Sequence, residues 1–334
     1  MSLFFSFIVP VYNRPNEIKE LLESLCLQTF AKPYEIVIVE DGSSISSKEV
    51  VSSFIEQLPI TYLEKENTGP GSSRNYGMQR AKGNYFIVLD SDCILPPHYL
   101  ETANTLLKTN YVDCYGGPDA AHKSFSVVQK AINYAMTSFL TTGGIRGKRM
   151  AVGKFQPRSF NMGISKKAYE ATGGYGNIHP GEDPDLTIRI WNNGFETRLL
   201  PEVYVYHKRR IDWNKFFIQV NKFGMVRPIL NKWHPETAKL TYWFPTLFCL
   251  GFIIALFLLL VKTPLLLWCY TAYFVIIFVD SLLKNKNIKI SFLSLIAVII
   301  QFVGYGYGFF KSTLKLKLST KKPQEIFPKL FFKN

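Results

Sequence analysis

Up to about residue 110, short apolar runs rich in β-formers alternate with segments whose apolar positions recur at helical spacing. Phe4 to Tyr12 predicts a first strand, and Pro15 opens a helix in which Ile18, Leu21, Leu22 and Leu25 fall at i, i+3, i+4 and i+7. Glu35 to Glu40 predicts a second strand, stopped by Asp41-Gly42-Ser43-Ser44. A second helix follows, with Val50, Val51, Phe54 and Ile55 on one face. Ile60 to Glu64 predicts a third strand, Asn67 to Ser73 a Gly/Pro loop, and Arg74 to Ala81 a short helix. Tyr85 to Leu89 is a fully apolar fourth strand that ends on Asp90. Strands alternating with helices build a parallel sheet covered on both faces. Ligands of such sheets bind at the carboxyl ends of the strands. Those ends carry Tyr12-Asn13, Asp41-Gly42 and Asp90-Ser91-Asp92.

From Cys114 to Glu202 the periodicity is less regular, and Thr141 to Arg158 has the Gly/Lys/Arg-rich composition of a mobile loop. Asp212 to Trp233 mixes aromatic and basic residues as a helix in a membrane interface does. Three apolar stretches follow, Trp243–Val261, Pro264–Leu283 and Ile290–Phe310. Each approaches the roughly 20 residues needed to cross a bilayer. Lys262-Thr263 makes the first two a tight hairpin. The third contains Gln301 and Gly304-Tyr305-Gly306-Tyr307-Gly308, and basic residues flank both of its ends. A full crossing would put those basic flanks on opposite sides, whereas a re-entrant segment keeps them together. The chain has no internal repeat and no low-complexity tract.

Composition sharpens this picture. The 334 residues carry 39 Lys+Arg against 25 Asp+Glu, a net charge of +14, which suits anionic lipid, phosphorylated substrates or nucleic acid. Much of the excess is juxtamembrane (Lys208, Arg209, Arg210; Lys284, Lys286, Lys289; Lys311 to Lys322) rather than on one recognition helix, which favours membrane lipids and excludes nucleic acid as partner. The five cysteines show no CxxC pairing and predict free thiols in a reducing compartment. Met1 to Phe7 is apolar but lacks a basic flank and a cleavage site, so it predicts a first strand rather than a signal peptide.

Several residues carry candidate chemistry. Asp90-Ser91-Asp92 follows a strand, where two carboxylates can hold Mg²⁺ or Mn²⁺ together with a diphosphate, or simply cap a turn. Gly181-Glu182-Asp183-Pro184-Asp185-Leu186 opens a helix. Acidic residues there suit the helix dipole, and Asp185 can pair with Arg189, yet a poised carboxylate is also what a general base requires. His207, beside Lys208-Arg209-Arg210, is a third metal ligand or a structural histidine. Asp41 can accept from a nucleobase N–H or hold a turn, and Arg74 can meet base, phosphate or solvent.

The order of motifs is more specific than any one of them. Phe7-Ile8-Val9-Pro10-Val11-Tyr12-Asn13, Glu40-Asp41-Gly42-Ser43, Gly69-Pro70-Gly71-Ser72-Ser73-Arg74-Asn75, Asp90-Ser91-Asp92, Asn161-Met162-Gly163, Gly173-Gly174-Tyr175 and Gly181 to Leu186 appear in sequence. The set resembles the inverting family-2 glycosyltransferases of the GT-A fold, over about Ser6 to His207. That resemblance implies that Pro10, Val11, Tyr12, Asp41, Arg74, Asp90 and Ser91 surround the nucleotide sugar. It further implies that Asp92 binds a divalent Mn or Mg with Asp90 and His207, that Asp183 is the base, and that Glu182 positions the acceptor or Asp183. The Gln-x-x-Arg-Trp motif of processive synthases is absent; Gln219-Val220-Asn221-Lys222-Phe223 stands in its place, which favours single-sugar transfer.

The expected architecture is an α/β, GT-A-like (Rossmann-like) nucleotide-sugar-binding domain over 1–210, followed by C-terminal transmembrane or re-entrant helices. These comprise an interfacial segment at 211–240, a hydrophobic anchor at 241–310 and a basic tail at 311–334. The expected donor is a nucleotide sugar, a UDP-sugar first. The expected acceptor is a lipid-linked or membrane-proximal glycan, reached from the cytoplasmic face of the inner membrane. Two rivals are a membrane-anchored nucleotide-binding scaffold or transport component, and a nucleotidyltransferase. The second lacks its glycine-rich, lysine-containing phosphate loop near the first strand.

Overall fold

The computed structural model describes residues 3–120, 125–143, 154–207 and 212–332, with His207 described by its backbone alone. The chain divides into two compact units, one comprising Met1–His122, Gly153–Lys208 and Phe331–Asn334, the other Lys123–Val152 and Arg209–Leu330. The first begins with β1 (Phe5–Val11), α1 (Pro15–Cys26), β2 (Glu35–Asp41), α2 (Lys48–Ser52), β3 (Ile60–Lys65), α3 (Pro70–Arg80) and β4 (Tyr85–Leu89). There follow β5 (Cys93–Ile94), α4 (Tyr99–Thr109), β6 (Cys114–Gly116) and β7 (Asp119–Ala120). After α5 (Val127–Thr137) and α6 (Phe139–Thr142), which lie in the second unit, come β8 (Asn161–Ser165), α7 (Lys166–Thr172), α8 (Glu182–Asn192), β9 (Thr197–Leu199) and β10 (Val205–His207).

Seven strands form one sheet in the order β3-β2-β1-β4-β8-β6-β9. The first four are parallel, as predicted, but β8 runs antiparallel to β4 and β6, so the whole sheet is mixed. Alternation along the strands feeds two cores. Phe5, Phe7, Val9, Ile36, Ile38, Tyr85 and Ile87 pack with Ile18, Leu21, Leu22 and Leu25 of α1. Ile8, Val37, Val39, Phe86 and Val88 pack with Met78 of α3 and Leu186 and Ile190 of α8. Burial on both faces is why these strands read as continuous apolar runs. A second sheet, β5-β10-β7, pairs His207 of β10 with Cys93, the residue after Asp92.

Two local expectations need correction. The third helix starts at Pro70, four residues before Arg74, because Gly69 at φ +91° turns the chain and Pro70 supplies a fixed φ where its missing N–H is not needed. The second helix ends at Ser52, and Ile55 is 52% exposed. Tight turns after Ser52, with Gln57 N–H donating to Phe54 O at 3.0 Å, carry Phe54 and then Leu58 into the core instead.

The second unit adds α9 (Trp213–Trp233), α10 (Phe244–Leu260), α11 (Leu265–Asn285), α12 (Ile288–Lys317) and α13 (Pro323–Ile326). Asp212 caps α9, accepting from Asn214 N–H at 2.6 Å. α5 joins this unit through its buried Ile132, Ala135 and Met136, and its Tyr134 hydroxyl donates to Asp280 of α11 at 2.6 Å. Among the described residues three helices are long and apolar enough to cross a membrane, at Leu240–Leu260, Leu265–Asn285 and Ile288–Lys317. α12 runs unbroken for 30 residues, about 45 Å at 1.5 Å per residue. It has no reversal of the kind a re-entrant segment requires. Its glycines are points of close approach: β-carbons built on Gly304 and Gly308 would lie 2.6 Å from Val220 and 2.3 Å from Asn221 O of α9. Asn221, in the segment that replaces the processive motif, donates to Gly304 O at 2.9 Å. The stretch 144–153, most of the expected mobile loop, lies outside the described residues, as do Lys208 to Arg210. All five cysteine thiols are free.

A β-carbon on Gly224 of α9 would meet the Tyr305 carbonyl oxygen at 2.2 Å, whereas one on Gly251 meets only the Tyr270 hydroxyl at 2.6 Å, the far end of a side chain. Gly224→Ala should therefore destabilise the second unit by about 1–3 kcal/mol, and Gly251→Ala by less. Thermal midpoints of the purified chain in detergent check this, and equal shifts would contradict the helix contact.

Candidate active site

The site forms where β1, β2 and β4 end. Asp41, the last residue of β2, is buried. Its Oδ1 accepts from Thr68 N–H at 3.0 Å and from the Lys65 ammonium, and its Oδ2 accepts from Gly69 N–H at 3.0 Å. Asp41 thereby fixes the turn from which α3 starts. Asn13, in the left-handed region at φ +54°, ties the end of β1 to that of β2. Its N–H donates to Ser43 Oγ at 2.7 Å, and its Oδ1 accepts from Ile45 N–H at 2.9 Å. Tyr12 is exposed and Pro10 half-buried, but the Val11 side chain belongs to the core, so only its backbone can face a ligand.

α3 carries Arg74 into the centre of the site. Its side chain is only 4% exposed. One terminal nitrogen donates to Asp90 Oδ1 at 2.8 Å, the other reaches Glu182 Oε1 at 3.5 Å, and the guanidinium lies 5.2 Å from the Tyr175 ring centroid. Desolvation works against the arginine charge, but Asp90, Tyr175, Asp183 and Glu182 outweigh it and raise the pKa. Arg74 therefore joins the acidic group at the end of β4 to the acidic group at the start of α8. That position is beneath the site rather than on its surface.

The two carboxylates at the start of α8 are driven apart. Desolvation alone would raise the Glu182 pKa, but His179, whose Nδ1 lies 2.9 Å from Oε1, and Arg74 hold it down to about 2. Desolvation and then the Glu182 charge raise the Asp183 pKa, against Arg74, Arg158 and a Ser159 hydrogen bond. Asp183 Oδ1 and Glu182 Oε2 are enclosed without a hydrogen-bond partner among the described residues. Asp185 has the structural role its spacing suggested, with its Oδ2 taking Arg189 Nε at 3.1 Å and Nη2 at 2.7 Å.

Asp92 pairs through Oδ2 with Arg14, and Ser91 is buried in the turn between β4 and β5. Among the described residues no cluster of three or more His, Cys, Asp or Glu side chains is close enough to hold a metal by itself. The donor chemistry nevertheless fits Mn²⁺ or Mg²⁺. Asp90 and Asp92 offer hard oxygens, and the pairing of His207 with Cys93 brings an imidazole-bearing residue beside Asp92. Substrate phosphate oxygens would complete such a shell.

Sequence reasoning missed Lys65, Arg14 and His179. Each was legible only as a charged or titratable residue next to a motif: Lys65 ends β3, Arg14 follows Asn13, and His179 stands three residues before Glu182.

Open α/β sheets bind their ligands outside the carboxyl ends of the strands, where this acidic, arginine-centred group lies. Residues 6–171 match the family described as "Glycosyl transferase family 2", and this domain of the chain belongs to that family. Glycosyltransferase GlyA of Streptococcus pneumoniae is 43% identical over 96 residues, 28% of this chain and 14% of that protein. Poly(ribitol-phosphate) beta-N-acetylglucosaminyltransferase TarS of Staphylococcus aureus is 34% identical over 112 residues, 33% of this chain and 20% of that protein. The chain thus spans a small part of the curated relatives it matches. Among solved structures, mannosyltransferase PcManGT from Pyrobaculum calidifontis in complex with GDP-Man and Mn2+ superposes with a TM-score of 0.59 at 18% identity, covering 91% of this chain and 88% of that one. S. aureus TarS 1-349 gives 0.50 at 20% identity, covering 68% and 64%. These two likenesses establish the GT-A-like fold. The family match ends before α8, so Glu182 and Asp183 stand on geometry.

Removing the charge of Arg74 leaves buried carboxylates without their cation, so Arg74→Gln should cost about 3–5 kcal/mol. A carboxylate held below its unfolded pKa of about 4.3 contributes stability that is complete above that pH and lost as pH falls toward the folded value. For Glu182 that window runs down to about 2. In Arg74→Gln the folded pKa of Glu182 should rise toward the unfolded value, so the acid-dependent loss between those two pH values should shrink, as read from denaturant unfolding across that range.

Proposed function

We propose that the chain transfers a sugar from a nucleoside diphosphate sugar to an acceptor hydroxyl by inverting single displacement. The observation that carries the proposal is the pair at the start of α8: Glu182 held ionised and Asp183 pushed up in pKa, joined through Arg74 to Asp90 at the end of β4. Asp183 is the base that takes the proton of the attacking hydroxyl, and its raised pKa makes it a stronger one. Glu182 positions Asp183 and the acceptor. Asp41, Tyr12, Pro10 and the backbone of Val11 line the nucleotide side, and Asp90 and Ser91 the ribose side, with Arg74 behind them. Asp92 and Asp90, with His207, would hold a Mn²⁺ or Mg²⁺, which supplies Lewis-acid stabilisation of the leaving diphosphate. A UDP-sugar is the donor to assay first.

The three long apolar helices support an anchor in the inner membrane, with the α/β unit on the cytoplasmic side and a lipid-linked or membrane-proximal glycan as acceptor. The basic residues flanking those helices, Lys284, Lys286 and Lys289 among them, suit anionic lipid. A nucleotide-binding scaffold would have no use for an enclosed carboxylate oxygen without a hydrogen-bond partner among the described residues, which Asp183 has.

Asp183→Asn should keep nucleotide binding by calorimetry and lose transfer by about 10²–10⁴-fold. Unchanged turnover would remove Asp183 as the base. In the native chain kcat should fall as pH drops through the Asp183 pKa, above the ordinary aspartate value of about 3.9. Asp92→Asn should remove the response of transfer to added Mn²⁺ while the protein stays folded, and full activity in that variant would contradict the metal assignment.

A further inference from the structure

The last described residues of the basic tail belong to the α/β unit. Phe331 forms an antiparallel bridge with Ile178, and Phe332 N–H donates to Asn177 O at 3.0 Å. These bonds fix the Phe332 ring between the two halves of the site. On one side the ring covers Gly69, where a built β-carbon would come within 2.3 Å of it. Gly69 is the residue whose N–H holds Asp41 Oδ2. On the other side it lies 5.7 Å from the His179 ring, which faces Glu182.

We propose that Phe332 is a positioning residue of the active site, bracing the Gly69 turn against Asp41 and the His179 ring against Glu182. The contacts then form one continuous chain: Asp41 to Gly69, Gly69 to Phe332, Phe332 to His179, His179 to Glu182, Glu182 to Arg74, and Arg74 to Asp90. A flat apolar ring suits this place. Gly69 at φ +91° has no side chain of its own to fill the space, and the ring packs beside the His179 imidazole. Without the ring, the nucleotide side and the base side lose their common support.

The kinetic consequence rests on the transfer reading above, whereas the bracing itself does not. The test is hydrogen exchange and donor kinetics on the full purified chain, comparing native, Phe332→Ala and Phe332→Tyr. In Phe332→Ala, amides of 67–74 and 178–186 should exchange about threefold faster or more, because local opening becomes easier. Donor kcat/KM should fall by about tenfold, within the range that misplacement of a reacting group causes. Phe332→Tyr keeps the ring and should stay near native in both, which separates loss of bracing from loss of fold. Unchanged exchange in either segment of Phe332→Ala, or faster exchange with unchanged transfer, overturns the proposal. A native chain that transfers no sugar would refute the transfer reading, and the exchange comparison would still decide the bracing.

Discussion

The Arg74 guanidinium is enclosed between carboxylates from two distant parts of the chain, Asp90 after β4 and Glu182 at the start of α8. Taking such a charge out of water costs several kcal/mol unless its partners are fixed in place. Most of the first unit serves that requirement. Asp41 anchors Gly69, Gly69 and Pro70 start α3, and α3 delivers Arg74 one turn later. Gly77 lets α3 lie close on the sheet, since a β-carbon there would sit 2.9 Å from Ile8 and 3.1 Å from Val39. The core strands β1, β2 and β4 hold the three ends in register.

The same cation separates two neighbouring carboxylates. Arg74 and His179 both serve Glu182, which stays ionised, and that fixed negative charge is one reason Asp183 holds a proton more readily. Two acids with divergent environments on one turn of helix are a common way to prepare one of them for proton transfer. Pro184 does not interfere, because in the first turn of α8 its missing N–H has no helical partner to lose.

Much of the α/β unit was legible because its central strands β1, β2 and β4 are buried on both faces and its first helix shows a plain 3.6-residue period. Ile18, Leu21, Leu22 and Leu25 are all buried where the spacing placed them. The start of α3 was not legible, since Gly69-Pro70-Gly71 has the composition of a loop and only the Asp41 bonds make it a helix start. The acidic motifs of the site could be read, whereas the partners that organise them could not. Arg14, Lys65 and His179 carry no periodic signal, and their roles arise from contacts with acidic residues distant in sequence or on the next turn. Gly304, Gly306 and Gly308 stand inside the third apolar stretch, where the sequence alone gives them no role. They prove to be the places where α12 meets its neighbours, a property of the partner helices that no single segment records.

The central claim is that a nucleotide sugar is attacked directly by an acceptor hydroxyl at the Asp183 site. The most direct measurement is the anomeric configuration of the transferred sugar, followed by NMR during turnover of a panel of nucleoside diphosphate sugars by the full chain in lipid nanodiscs with Mn²⁺. The account predicts transfer with inversion from the donor. Transfer with retention, or nucleotide binding with no sugar transferred to any acceptor, would contradict it.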